Sequence, residues 1–443
     1  MISIKKILLI ITCISIFFPL SEAQVQDSVH VNLQKALEIA LSENPTIKVA
    51  NRDIQAKKYY KSEQIAALFP SVSLAGSWQA TLKKQKMVME MGGNPMEIEV
   101  GTSYNYSAGL NFSLPLVAAP TWYNLKLSQV DVELAVENAR ASRISLINEV
   151  KKAYYGMLLA KDSYQVLLTS YENVQLTAQN TYDKYEQGLA SDFDKLRAEV
   201  QVKNQKPQLT SAENSLYLAT MMLKVLMGVE VNEPIIFDGQ LSDFEDDMLQ
   251  YQELDPARVS LSNNTNLVQL DYAQKQLELS QKMIKSSACP TLALSGNYQY
   301  MTMANNLDFS TYNWFPYSVI GLSLQVPILS WVGTSYKLKQ SKLSMESLND
   351  QRQYLENNLR VSLNNSLYNI NKAIEELASN KETMMQADRA YNIVKKQFEV
   401  GMATWLDLNS AELALTQSRL LYNQSVYNFL TAKAELDSVL GNE

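Results

Sequence analysis

Tyr104-Asn-Tyr-Ser-Ala-Gly-Leu-Asn-Phe-Ser-Leu114 alternates apolar residues with small or polar ones, which is the period of a pleated strand. The 67 residues from 121 to 187 then contain no proline and a single glycine, Gly156. At about 1.5 Å per residue, a helix of that length runs roughly 100 Å, several times an ordinary globular helix. A strand pair that feeds such a rod decides the architecture, and the chain contains the arrangement twice.

The first strand of the pair spans about 71–82. Val72, Leu74, Gly76, Trp78, Ala80 and Leu82 share one face, with serines, Gln79 and Thr81 on the other. Between the two strands lies a polar stretch with Gly92-Gly-Asn-Pro95, which reads as a loop. The second half repeats the pattern with strands at about 291–301 and 317–327, and the strand exits match closely. Gly109-Leu-Asn-Phe-Ser-Leu-Pro-Leu116 meets Gly321-Leu-Ser-Leu-Gln-Val-Pro-Ile328 at an offset of 212. A second long helix, 331–400, follows; from 334 to 400 it holds neither proline nor glycine.

Each rod ends in a glycine-led turn, Gly188-Leu-Ala-Ser-Asp-Phe-Asp194 and Gly401-Met-Ala-Thr-Trp-Leu-Asp407. Partner helices, 190–227 and 403–440, align without a gap at an offset of 213. Pro207 faces Leu420 in that alignment, so a kink or break is expected in the first partner helix only. The organisation is therefore one body with an internal duplication. It comprises a first repeat at 24–228, an acidic, loop-rich connector at 229–266 and a second repeat at 267–441.

The N-terminus, 1–23, reads as a secretory signal. Lys5 and Lys6 precede the apolar run Ile7–Phe18, and Ser21-Glu-Ala23 supplies small residues for cleavage. Cys13 fits a lipidation motif poorly, because Thr12 precedes it. With the signal removed one thiol remains, Cys289, expected as a small buried hydrophobe before Pro290. His30 is the only histidine, which removes most triad and zinc chemistry. A net charge of −7 with no basic block gives no nucleic-acid footprint. The pair Asp246-Asp247 offers carboxylates, but adjacent acidic residues in such a loop ordinarily face water. No enzyme, cofactor or metal site is expected.

Four strands cannot close a transmembrane barrel, which needs at least eight, and open edges cannot face lipid. Either the strands form a half-buried soluble sheet, or copies associate; three copies supply twelve strands. Trp78, Tyr104, Tyr106, Tyr298, Tyr300 and Trp314 lie in or beside the strands, where an interfacial aromatic girdle would sit. The rods alone fit a secreted or periplasmic coiled-coil scaffold or adhesin without a pore. Combined with a signal peptide and barrel strands, they suggest a helical tube.

In this duplicated order, and in Ala40-Leu-Ser-Glu-Asn-Pro45, Leu68-Phe-Pro70 and the two glycine-led turns, the chain resembles the TolC-like outer-membrane factor family. The resemblance covers essentially the whole mature chain. It implies a mainly α fold with a membrane β-barrel, twelve strands in a homotrimer, continued by a long α-helical periplasmic tunnel. It implies an outer-membrane exit duct of a tripartite efflux or type I secretion system in a Gram-negative bacterium. The expected partners are a periplasmic adaptor, an inner-membrane pump reached through the adaptor, and lipid.

By the same resemblance the turns are periplasmic tips, with Gly188, Leu189, Gly401 and Met402 at the adaptor contact. Asp407 matches a constriction aspartate, Phe398 an aromatic that holds the tips closed, and Asp194 an acidic partner on the other hairpin. Both aspartates also suit helix N-termini by capping. Trp405 suits either an apolar tip contact or an adaptor anchor. Ala403 stands where some members carry a basic tie, and Ser410 where some carry a second constriction aspartate. A weaker polar latch and one acidic ring from this hairpin are expected.

Overall fold

The computed structural model describes residues 29–91, 94–245, 255–256, 258–329 and 331–442. Residues 1–23, read above as a secretory signal, with Cys13 among them, and the Asp246-Asp247 pair lie outside the described residues.

Seven α-helices and eight strands are described. Strand β1 (Val29–Val31) leads into helices α1 (Leu33–Glu43) and α2 (Pro45–Ala66). Strands β2 (Ser71–Ala80), β3 (Gln85–Met91), β4 (Asn94–Val100) and β5 (Tyr104–Val117) precede the long α3 (Ala119–Glu186) and its partner α4 (Asp192–Met227). Strand β6 (Ile235–Phe237) and helix α5 (Thr265–Ser286) lead to β7 (Thr291–Ala304), β8 (Phe315–Gln325), α6 (Trp331–Glu399) and α7 (Trp405–Leu440).

The duplication is visible in the element ends. Helices α2 and α5 both hold 22 residues and start under an asparagine cap. The Asn44 side chain accepts from the Thr46 N–H at 2.7 Å, and that of Asn264 from the Asn266 N–H at 3.0 Å. Helices α4 and α7 both hold 36 residues. Helices α3 and α6 run unbroken for 68 and 69 residues.

At Pro207, where the sequence predicts a kink or a break, helix α4 continues without a break. Two expectations fail. The stretch read as a polar loop is a two-stranded hairpin, β3 against β4, pairing Gln85 with Val100 through Met91 with Asn94. Cys289 is exposed, not buried; it follows the end of α5, its N–H donating to the Ser286 carbonyl at 3.0 Å.

The described residues form two compact units. One takes residues from 41–152, 247–382 and 428–443 and contains the four-stranded antiparallel sheet, in the order β2-β5-β7-β8. Its register keeps like residues together across strands. Val72, Phe112 and Gly296 align, as do Leu74, Leu110 and Tyr298, and Leu114, Leu294 and Leu322. The opposite face aligns Ser71, Ser113 and Ser295, and Ser73, Asn111 and Asn297. Ser77 and Ser107 share a hydrogen bond of 2.7 Å, and Asn297 donates to Asn111 at 3.1 Å. Pro115 lacks an N–H donor and sits where the β5–β7 register shifts, as prolines in sheets do.

The apolar face is open to solvent; Leu74 is 79% exposed and Ile320 76%. Among the described residues, β2 and β8 have no partner on their outer edges. Below the sheet, Ile144, Val150, Leu363, Ile370 and Phe429 form buried helix packing. Arg140 ties α3 to the residues just before α5 and just after α7. Its guanidinium donates to Glu137 at 2.7 Å, the Asn263 carbonyl at 2.9 Å and the Gly441 carbonyl at 3.2 Å.

The second unit takes the described residues of 1–40, 153–246 and 383–427. Strands β1 and β6 pair in parallel, and the connector straps onto α3. The Tyr154 hydroxyl donates to the Asp238 carbonyl at 2.5 Å, and Lys161 to the Gly239 carbonyl at 3.0 Å. A buried polar pin joins three helices, because the Ser170 hydroxyl receives Gln205 at 2.8 Å and Thr416 at 3.0 Å.

Candidate functional site: the hairpin tips and the aromatic bands

Both hairpin turns are built from the same local chemistry. Gly188 has φ +73° and Gly401 φ +79°, a left-handed conformation that glycine adopts without a Cβ penalty. Leu189 N–H donates to the Lys184 carbonyl at 2.8 Å, and Met402 N–H to the Gln397 carbonyl at 2.7 Å. These six-to-one bonds satisfy carbonyls that the helix end would orphan.

The next helix starts three residues on with a reciprocal cap. Asp194 N–H donates to Ser191 Oγ at 3.1 Å, and Ser191 Oγ donates to Asp194 Oδ2 at 2.6 Å. Asp407 N–H donates to Thr404 Oγ1 at 3.2 Å, while Thr404 N–H returns to Asp407 Oδ2 at 2.9 Å. The Thr404 hydroxyl and N–H hold the Asp407 carboxyl below the ordinary carboxylate range. So each aspartate is a capping group in the single chain, and at Asp407 the same bonds favour the ionised carboxylate.

Leu189 and Met402 stand out from the tips, 73% and 79% exposed. Phe398 is half-buried against the cluster of Tyr391, Leu408 and Leu415. Behind it, Glu412 is buried and accepts from Asn173 at 3.5 Å. Burial first, and Glu412 second, push the Tyr391 phenol up.

The two hairpins meet through cations over rings. Lys184 Nζ lies 4.4 Å from the Phe398 ring centre, and Arg197 Cζ 5.1 Å from that of Trp405 and 5.2 Å from that of Phe193. The structure therefore places Phe398, Trp405 and Asp407 on one hairpin and gathers Asp194 onto the other. Lys184 and Arg197, which join them, were not read from sequence; lysines and arginines on helices are ordinarily solvated, and no spacing marks one that faces a ring.

At the sheet, Trp78 pairs directly with Tyr106, and Tyr300 with Ala108, so these rings share the apolar face near one end of the strands. Tyr106, Phe309 and Tyr312 pack with ring centres 5.0–5.4 Å apart. Trp314 is exposed just before β8. A second set, Phe69, Trp122 and Trp331, is exposed at the opposite, helix-joined end. Sequence reading missed it because these rings fall just outside the alternating runs. About ten strand residues separate the two bands, roughly 34 Å along the strand, or about 25 Å when tilted as in membrane barrels.

An incomplete sheet with one apolar and one polar face, aromatic bands at both ends and duplicated long helical hairpins defines the class of outer-membrane channels with a periplasmic helical portion. A family model described as outer membrane efflux protein matches residues 36–229 and 257–442. The chain belongs to that family, and its place is the outer membrane of a Gram-negative cell. Outer membrane protein TolC of Vibrio cholerae is 23% identical over 386 residues, covering 85% of this chain and 83% of that protein. Alkaline protease secretion protein AprF of Pseudomonas aeruginosa is 22% identical over 424 residues, covering 93% and 84%. Among solved structures, the Campylobacter jejuni CmeC outer membrane channel superposes with a TM-score of 0.71 at 15% identity, covering 92% of this chain and 85% of that one. The open-state MtrE channel of Neisseria gonorrhoeae gives 0.71 at 20% identity, covering 93% and 89%.

Proposed function

We propose that the protein is the outer-membrane exit duct of an efflux or type I secretion assembly. It works as a homotrimer whose three sheets close a twelve-stranded barrel and whose hairpins form a closable periplasmic end. The sheet carries this reading. Its two unpaired edges and exposed apolar face leave one chain unable to sit in lipid, and three chains remove every edge. The two aromatic bands suit the two lipid–water boundaries.

At the tips, threefold symmetry turns Asp407 into a ring of carboxylates, which favours cations at a constriction. Its capping role and its ring role are compatible, since the cap uses one carboxylate oxygen and keeps the charge. Asp194 adds an acidic group on the other hairpin, and Phe398 packs on the same hairpin as Asp407, against Tyr391, Leu408 and Leu415. Exposed Gly188, Leu189, Gly401 and Met402 form the surface offered to a periplasmic adaptor, which links the duct to an inner-membrane pump. Trp405 is half-buried under Arg197, which favours the tip-contact role over an adaptor anchor. Relatives named for protease secretion and for cobalt-zinc-cadmium resistance both match this chain, at 22% and 24% identity. Cargo is therefore assigned to the pump and adaptor.

The test is conductance of purified protein in planar bilayers, with Asp407→Asn beside it. The expected result is a cation-preferring pore whose preference falls in the variant. A monodisperse water-soluble monomer without detergent would refute the duct. Unchanged selectivity in Asp407→Asn would leave that residue as a helix cap only.

A further inference from the structure

Four methionines fall within the ten residues 87–96, a density that no other part of the chain reaches. They lie in the hairpin β3–β4, which is a two-stranded sheet separate from the four-stranded one. Its register sets Met89 directly opposite Met96, and Met87 opposite Ile98. Met87, Met89 and Met96 therefore share one face of the hairpin, and each is about half exposed, 50–52%. The other face pairs Lys86 with Glu99, Val88 with Glu97 and Glu90 with Pro95. There the Lys86 ammonium donates to Glu97 at 2.9 Å. The base of the hairpin is pinned. Asn305 Oδ1 accepts from Lys84 Nζ at 2.9 Å and from the Ser103 N–H at 3.0 Å, and the Thr81 N–H donates to the Ser103 carbonyl at 2.8 Å. The methionine face is thus presented from the end of the four-stranded sheet remote from the long helices.

We propose that Met87, Met89 and Met96 form a binding site for a soft monovalent cation, Cu(I) or Ag(I), held by three thioether sulfurs. Directly opposed side chains start about 4.5–5.5 Å apart at Cβ, and diagonal ones, such as Met87 and Met96, about 7–8 Å. A two-residue step along one strand is about 7 Å. Each methionine is unbranched and has three rotatable bonds, so the three sulfurs can converge above the strand pair. A thioether is neutral and polarizable. It cannot compensate a hard cation for its lost water, but it suits Cu(I) and ions like it. Three glutamates against one lysine on the far face leave a negative field that favours a cation. Among the described residues, no group of three His, Cys, Asp or Glu side chains is placed to hold a harder ion. An apolar face alone does not call for methionine, since leucine has a similar volume and would serve as well. An ion shared by Met89 and Met96 also bridges the two strands, and so orders a hairpin that is marginal on its own. The site stands apart from the duct reading and does not depend on it.

The experiment is a silver nitrate titration of the full-length protein carrying methyl-labelled methionine, followed by NMR. Thiols are first blocked with N-ethylmaleimide, so that the exposed Cys289 does not compete for silver. The methyl signals of Met87, Met89 and Met96, assigned by single replacement with leucine, are expected to move together and to saturate at one silver ion per chain. Amide exchange across 85–100 should slow in the same titration, and zinc at equal concentration should move none of the three signals. The variant Met87→Leu/Met89→Leu/Met96→Leu keeps the apolar face and should lose the one-ion step while unfolding at the wild-type temperature. Signals that stay still under silver, signals that move equally under zinc, or a one-ion step that survives in the triple variant would each overturn the assignment. If the triple variant fails to fold, the wild-type titration with silver and zinc decides the question alone.

Discussion

Gly109 occupies the tightest strand approach among the described glycines of the sheet, and Gly109→Ala tests whether that closeness is required. It sits in central strand β5 opposite Gln299 of β7. A methyl group there would lie 2.3 Å from Gln299 Cβ, 2.4 Å from its Cα and 2.4 Å from the Tyr298 carbonyl oxygen. Ordinary contacts of this kind lie at about 3.5–4.0 Å. Relief of more than an ångström against backbone atoms requires β5 and β7 to part locally. That strains the adjoining ladder bonds, each worth about 1 kcal/mol net, on top of an overpacking cost of about 1–3 kcal/mol. The expected loss is about 3 kcal/mol per chain. Two controls share the sheet. At Gly76 the nearest neighbour of a new Cβ is the Ser107 carbonyl oxygen at 3.8 Å, and at Gly321 nothing lies within 4 Å. Thermal unfolding followed by circular dichroism in detergent should show a lowered midpoint for Gly109→Ala and near-native midpoints for Gly76→Ala and Gly321→Ala. Three equal midpoints would refute the packing argument.

Arg140→Lys keeps the charge but loses the fork that reaches Glu137 and two carbonyls; a loss of about 2 kcal/mol in denaturant unfolding is expected, with faster amide exchange around 263–265 and 439–442. Tyr154→Phe removes the donor to the Asp238 carbonyl and should cost about 1–2 kcal/mol near neutral pH. Burial pushes the Tyr154 phenol up from 10.0 to about 12. A raised folded value means the contribution is complete below pH 10 and fades between 10 and 12, so wild type and variant should converge in that window. Thr404→Val removes the first cause of the lowered Asp407 value, so Asp407 should protonate at higher pH than in wild type. The corresponding stabilisation exists above the ordinary carboxylate range and is lost as pH falls through the depressed value. Titration of the Asp407 carboxyl by NMR in the full chain, or of cation preference in bilayers, reads the shift; an unchanged titration would remove Thr404 from the account.

The elements that sequence revealed are those whose periodicity survives burial on one side only. Val72–Ala80 and Tyr104–Leu114 alternate because one face meets an apolar medium and the other a polar one, and the register lines these faces up across all four strands. The turns were equally legible, since glycine followed by Ser191 or Thr404 and then aspartate has a specific backbone purpose. The hairpin β3–β4 was hidden because Gly92 to Pro95 reads as loop, although Met87 and Met89 pair with Ile98 and Met96 across it. Pro207 removes one backbone donor without ending α4, because the helix is anchored two residues before it, where Gln205 meets Ser170. Cys289 was assigned by average cysteine burial, which says little about a residue in the short link between α5 and β7. At the tips, Asp407, Phe398 and Trp405 share one hairpin through simple spacing. Their cationic neighbours come from 184 and 197, about two hundred residues away in the chain, and only the folded structure brings them near.

The bare outer edges of β2 and β8 also set a kinetic condition. A newly exported chain carries two sticky strand edges and an uncovered apolar sheet until it meets two others, so barrel completion must scale steeply with local chain concentration. Dilution, slow export or a shortage of periplasmic holdases would then lower yield through aggregation, even for a sequence with no defect in the finished pore. A dominant-negative variant follows naturally: a chain with sound helices and one spoiled edge would join two healthy copies and leave the ring unclosed.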